Sequence, residues 1–107
     1  MLNKDQIVEA AITVWKRYSW HGVTMTRVAA ALGVTHAALY HYFDNVEGLK
    51  LEMAGRAISN GEPLLMAELL LLDHPAAACI TQGEREVIAG RVASKDPTPL
   101  SSPADCR

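Results

Sequence analysis

Apolar residues recur every three or four positions through most of this chain, the spacing of amphipathic helices. Leu2, Asn3, Gln6 and Ile7 mark a first helix start: Asn3 caps, Gln6 reaches back, and Leu2 packs on Ile7 as a hydrophobic staple. Ile7, Val8, Ala11, Ile12, Val14 and Trp15 form the apolar stripe, with Lys4, Asp5, Glu9, Lys16 and Arg17 mostly on the other faces. The helix is expected to close near Trp20-His21-Gly22, with Gly22 in the left-handed conformation. Thr24 caps a short second helix carrying Met25, Val28, Ala29 and Leu32, stopped at Gly33. Thr35 caps a third, His36 to Phe43, with Leu39 and Phe43 on one face. Asp44 or Asn45 caps a fourth, Glu47 completing a capping box with Asp44, and Leu49, Met53 and Ala57 form its stripe as far as Asn60-Gly61.

Beyond Pro63 the segment Leu64 to Leu72 is apolar almost all round, which implies burial against the fourth helix or another chain. His74-Pro75 ends it. Ala76 to Ala93 predicts only a weak helix, since Gly83 and Gly90 interrupt it, and the serine- and proline-bearing stretch from Ser94 to Arg107 reads as a disordered tail. The expected fold is all-α: a three-helix head over residues 1–45, a connector and an apolar helix over 46–75, and a weakly structured region over 76–107.

Composition narrows the function classes. The chain has 107 residues, half of them apolar, with a formal charge of -2, which describes one small soluble domain and neither a disordered chain nor a large two-lobed enzyme. No apolar run reaches the length of a membrane span, and the first residues lack the basic and apolar blocks of a secretory signal, so a cytoplasmic protein is expected. Cys79 and Cys106 stand far apart without metal-ligand spacing and read as incidental thiols. No nucleophile elbow, glycine-rich phosphate loop or His-Glu-x-x-His pattern occurs, so neither an enzyme nor a cofactor is expected. Charge is uneven. Residues 1–50 hold five basic side chains (Lys4, Lys16, Arg17, Arg27, Lys50) against four acidic ones (Asp5, Glu9, Asp44, Glu47), while the rest is acidic. A polyanion would meet the first half.

The sharpest local signal is Ala29, three residues, Gly33, five residues, Leu39. Ala29 is small where two helices cross, Gly33 supplies the turn, and Val28, Leu32, Val34 and Leu39 fill the space between them. This is the helix-turn-helix pattern, whose second helix enters the DNA major groove with its first turn nearest the base edges. Thr35, His36, Ala37, Ala38, Tyr40 and His41 are then the outward candidates. Trp15 reads as core, Tyr42 as a half-buried ring showing its hydroxyl, Lys16 and Arg17 as a solvated face, and His21 and His74 as helix-end residues near backbone carbonyls.

The stretch Gly22-Val23-Thr24-Met25-Thr26-Arg27-Val28-Ala29, then Leu32-Gly33-Val34-Thr35, then Ala38-Leu39-Tyr40-His41-Tyr42-Phe43 and Leu49, resembles the N-terminal DNA-binding domain of TetR-family transcriptional repressors. With Ile7, Ala10, Ala11 and Trp15 at apolar first-helix positions, the resemblance covers roughly residues 3 to 60. It implies phosphate contacts from Thr24 and Thr26, a cap at Thr35, base reading by His36, Ala37 and Ala38, and a backbone clamp from Tyr40 and His41. Ala37 and Ala38 offer only methyl contacts, so His36 would bear the hydrogen-bonded discrimination. The implied partner is double-stranded DNA, bound by a homodimer.

Two departures stand out. The family usually holds a phosphate with a lysine directly after the position of Asn45, where this chain has Val46. Family members also continue as a long helical domain that binds an inducer and supplies the dimer interface. Residues 61–107 can supply a fifth helix and part of a sixth but no closed ligand pocket, so the chain reads as a truncated member in which no small-molecule inducer is expected. The competing expectation is a truncated interaction fragment that does not bind DNA and pairs through its Leu64 to Leu72 helix with a longer partner.

Overall fold

A computed structural model of the chain describes residues 2–100. The described residues form six α-helices: α1 (Lys4–Tyr18), α2 (Met25–Leu32), α3 (His36–Tyr40), α4 (Val46–Ser59), α5 (Pro63–Leu71) and α6 (Gln82–Ala93), with 3₁₀ turns at Trp20–Gly22 and Pro75–Cys79. The fold class is all-α, as the periodicity predicts. Contacts divide the chain into two compact units after Met53, within α4.

In the first unit, α1 starts at the anticipated capping box, with the Asn3 side chain accepting the Gln6 N–H at 2.9 Å and Gln6 Oε1 accepting the Asn3 N–H at 3.0 Å. Its stripe of Ile7, Val8, Ala11, Val14 and Trp15 is buried. The helix ends earlier than expected and by a different residue. Ser19 takes the positive φ of 67° and its N–H returns to the Trp15 carbonyl, while Gly22 lies inside the following 3₁₀ turn. Gly22 is needed there for space, since a Cβ would sit 2.5 Å from Tyr18 Cβ. The same turn buries Trp20, whose ring meets Trp15 edge-on at 5.1 Å. α1 packs across α2, and α2 against α3. α3 is shorter than the expected His36 to Phe43, yet Leu39 and Phe43 are both buried as their spacing predicts, and the Phe43 N–H still reaches the Leu39 carbonyl at 3.1 Å. Asn45, not Asp44, caps α4: its Oδ1 accepts the Gly48 N–H at 3.0 Å. Leu49 and Met53 are buried.

In the second unit, Pro63 opens α5, which packs along α6 and buries Leu65, Met66 and Leu69. The apolar helix is thus covered by the very segment expected to be weak. Thr81 and Glu84 form a reciprocal capping box at the start of α6, and Ile88 is fully inside. The His74 ring accepts the Ala76 N–H at 3.0 Å, capping the 3₁₀ turn where a contact with a carbonyl is expected. Cys79 is the last residue of the second 3₁₀ turn, and Cys106 lies outside the described residues. After α6 the chain turns at Lys95, and Leu100 is buried, donating its N–H to the Gly61 carbonyl at 2.9 Å. Of the expected disordered tail, Leu100 is held against Gly61 while residues 94, 95 and 97–99 are exposed, and its last part, 101–107, lies outside the described residues. Among the described residues no helix is long and apolar enough to cross a membrane.

Candidate nucleic-acid interface

The candidate interface is built by two caps and one glycine. Thr24 is extended, and its Oγ1 accepts the Arg27 N–H at 3.1 Å, so α2 begins on the residue after it. Gly33 closes the helix in the left-handed region at φ 69° and ψ 31°, and the Val34 N–H returns to the Ala29 carbonyl at 3.0 Å. Thr35 is extended again, its Oγ1 accepting the Ala38 N–H at 3.3 Å, and α3 leaves at a new angle from that cap. Val28 and Ala29 are buried beneath the crossing, as the small-residue spacing predicts, whereas Leu32 and Val34 are half-buried.

The anticipated contact residues all lie in the first unit, and most of them are exposed. Thr24, Thr26, Thr35, His36, Ala37, Tyr40 and His41 are exposed, and Ala38 is half-buried. Two of them, taken separately from the sequence, are bonded to each other: Thr26 Oγ1 on α2 lies 2.8 Å from His36 Nε2 on α3. The Tyr40 ring stands edge-on to the His36 ring, with centroids 6.1 Å apart. Tyr42 is half-buried as expected, but its hydroxyl is spent internally, donating to the Leu2 carbonyl at 2.7 Å and tying the end of α3 to the start of α1.

Three further side chains have placements that sequence reasoning did not anticipate. Arg27 lies over the Tyr18 ring at 4.3 Å and donates to the Gly22 carbonyl at 2.9 Å, bracing the loop that precedes Thr24. Tyr18 also carries Arg17 at 5.6 Å, so two guanidinium groups flank one ring beside α2. Lys50 is buried, with Nζ 5.3 Å from the Trp20 ring, and is withdrawn from the surface that its charge alone would assign it to. An (i, i+5) arginine-to-carbonyl bond carries a faint sequence signal; a lysine folded over a tryptophan thirty positions away carries none. Among the described residues no group of histidine, cysteine and carboxylate side chains is arranged to hold a metal ion.

Residues 7–53 match the family model of the N-terminal region of bacterial regulatory proteins, tetR family. The chain is also 32% identical over 59 residues to an uncharacterized HTH-type transcriptional regulator of Mycobacterium tuberculosis. That alignment covers 55% of this chain and 27% of the relative, so the chain spans only about a quarter of its length. No solved structure matches the chain.

Proposed function

We propose, on the match of residues 7–53 to the tetR family model, that the chain is a sequence-specific DNA-binding regulator that acts in the cytoplasm as a repressor. α3 enters the major groove with its first turn toward the base edges. His36 supplies the hydrogen-bonded discrimination, and Ala37 and Ala38 offer methyl contacts of the kind thymine accepts. Thr24, Tyr40 and His41 hold phosphates and set the register, and Thr35 starts the helix at the right point. The observation that carries this reading is the two-sidedness of α3. Leu39 is fully buried while Thr35, His36, Ala37 and Tyr40 of the same short segment are exposed, so the helix is anchored by one face and offers the other.

A single head of this size gives little affinity beyond the non-specific level, and two heads on a palindrome add their binding free energies. The proposed active form is therefore a homodimer, and repression follows from occupancy of a promoter. The test is selection from random duplexes at moderate salt, with the oligomeric state measured in the same buffer. Enrichment of a palindrome by a dimer is expected. A folded protein that enriches no sequence overturns the reading and leaves the interaction fragment in its place.

A further inference from the structure

We propose that Thr26 is a positioning residue for His36, so that the two side chains read DNA as one unit. The proposal deepens the regulator reading above and rests on it. Thr26 is the second residue of α2 and His36 the first of α3, and the Gly33 turn brings them together from ten positions apart. The 2.8 Å separation between Oγ1 and Nε2 is that of a direct hydrogen bond, made on an exposed surface between two side chains that would otherwise rotate freely. Tyr40, one turn further along α3, closes a second side of the imidazole with its ring edge-on.

The chemistry of histidine makes this consequential. Imidazole has two nitrogens, and occupying Nε2 leaves Nδ1 as the atom that reaches a base edge, a donor or an acceptor according to which nitrogen carries the proton. A free histidine searches several rotamers before it makes such a bond; one held by Thr26 and Tyr40 presents a single geometry, and discrimination between bases depends on that geometry. An exposed threonine at the start of a helix otherwise reads as a phosphate ligand, which fixes position and carries no sequence information. The two roles separate in measurement, because loss of a phosphate contact weakens every sequence alike and lowers the salt slope by about 0.9.

The experiment uses the full chain and the duplex it selects. Thr26→Val keeps the shape and removes the hydroxyl, Thr26→Ser keeps the hydroxyl, and His36→Ala removes the reader. Thr26→Val is expected to lower the ratio of affinities for selected over random duplex about tenfold, as far as His36→Ala does. The double variant should lower it no further, and Thr26→Ser should restore it. In the free protein, the His36 ring nitrogen resonances should shift in Thr26→Val and stay in place in Thr26→Ser. A Thr26→Val protein that loses affinity for selected and random duplexes by one factor, with its ratio intact, overturns the proposal. A His36 ring that does not sense the missing hydroxyl overturns it too. A parent chain that selects no sequence overturns the regulator reading itself, whereas a parent that selects one while Thr26→Val keeps the same preference overturns the positioning role alone.

Discussion

Two glycines frame the helix-turn-helix segment and are needed for opposite reasons. Gly33 has a φ of 69° with nothing within 4 Å of a would-be Cβ, so only its backbone conformation demands glycine. Gly33→Ala is expected to cost about 1 to 2 kcal/mol of stability, the penalty of holding an L-residue in the left-handed region. Gly22 has no such conformation, but an added methyl would meet Tyr18 Cβ at 2.5 Å, and Tyr18 carries Arg27 on its ring. Gly22→Ala is expected to cost about 1 to 3 kcal/mol through overpacking and to displace Arg27. Urea unfolding separates the two cases when combined with DNA binding. Gly33→Asn, which tolerates positive φ, should recover part of the stability at 33, whereas no side chain restores the space at 22. Equal recovery at both sites would contradict the distinction. Tyr40 belongs to the same scale. It is exposed, and Tyr40→Phe keeps the ring that stands edge-on to His36 while removing the hydroxyl, so it should weaken binding to all duplexes about equally, a uniform loss that gel-shift titration with selected and random duplexes would register.

At the scale of elements, α3 is the anomaly, because five residues are far too few for a helix to persist alone in water. It exists because Thr35 caps it, Leu39 and Phe43 are buried under it, and the Tyr42 hydroxyl is bonded to Leu2. Leu39→Ala is therefore expected to cost about 2 to 5 kcal/mol and to abolish sequence selection, with circular dichroism showing a chain already partly unfolded at room temperature. The start and stop of α2 and the start of α3 were legible in the sequence, since Thr24, Gly33 and Thr35 act through local backbone chemistry that the residue type alone reveals; the early stop of α3 at Tyr40 was not. What could not be read was non-local. The 3₁₀ turn that buries Trp20 displaces the end of α1 from Gly22 to Ser19 because two tryptophans pack edge-on. The strength of α6 was hidden as well, because Gly83 and Gly90 depress its propensity while its capping box and the burial of Ile88 against neighbouring structure offset them. Its far end carries a local pH signal. Asp96 accepts from the Thr98 hydroxyl and N–H at 2.6 and 3.0 Å and lies near Arg91, and the hydroxyl bond above all holds its carboxyl below the ordinary aspartate range. A depressed carboxylate contributes above its unfolded-state pKa and loses that contribution as pH falls through the lower folded value. The turn after α6 should accordingly hold at neutral pH and loosen in acid below the ordinary aspartate range. Thr98→Val should move the Asp96 midpoint back up, read by NMR titration of its side-chain carbon.

For the whole molecule the question is how a chain of net charge -2 could hold a polyanion. Of the five cations in residues 1–50, Lys50 is buried over Trp20, Arg27 is engaged with Tyr18 and Gly22, and Lys4 lies over Phe43 at 5.4 Å. Only Lys50 is buried, but the cations of residues 1–50 outnumber the carboxylates by just one, so long-range attraction is weak, affinity should rest on short-range hydrogen bonds, and the dependence on salt should be shallow. Position 46 tests this. Val46 is half-buried at the start of α4, directly after the Asn45 cap, where the tetR-family resemblance expects a phosphate-holding lysine. Val46→Lys adds one cation there; its stem can lie along the apolar surface that valine covers while the ammonium reaches outward. Each added phosphate contact steepens the log-log salt slope by about 0.9, so between 50 and 200 mM salt the variant should lose about 3.5-fold more affinity than the parent does. A positive charge in the first turn of a helix costs about 0.3 to 1 kcal/mol against the helix dipole, so the gain in binding should come with a small loss of folding stability. Val46→Gln, similar in length and uncharged, should reproduce neither the slope nor the gain. If Val46→Lys and Val46→Gln bind selected duplex with the same slope, the start of α4 does not face phosphate, and the orientation of the head on DNA proposed from α3 must be redrawn.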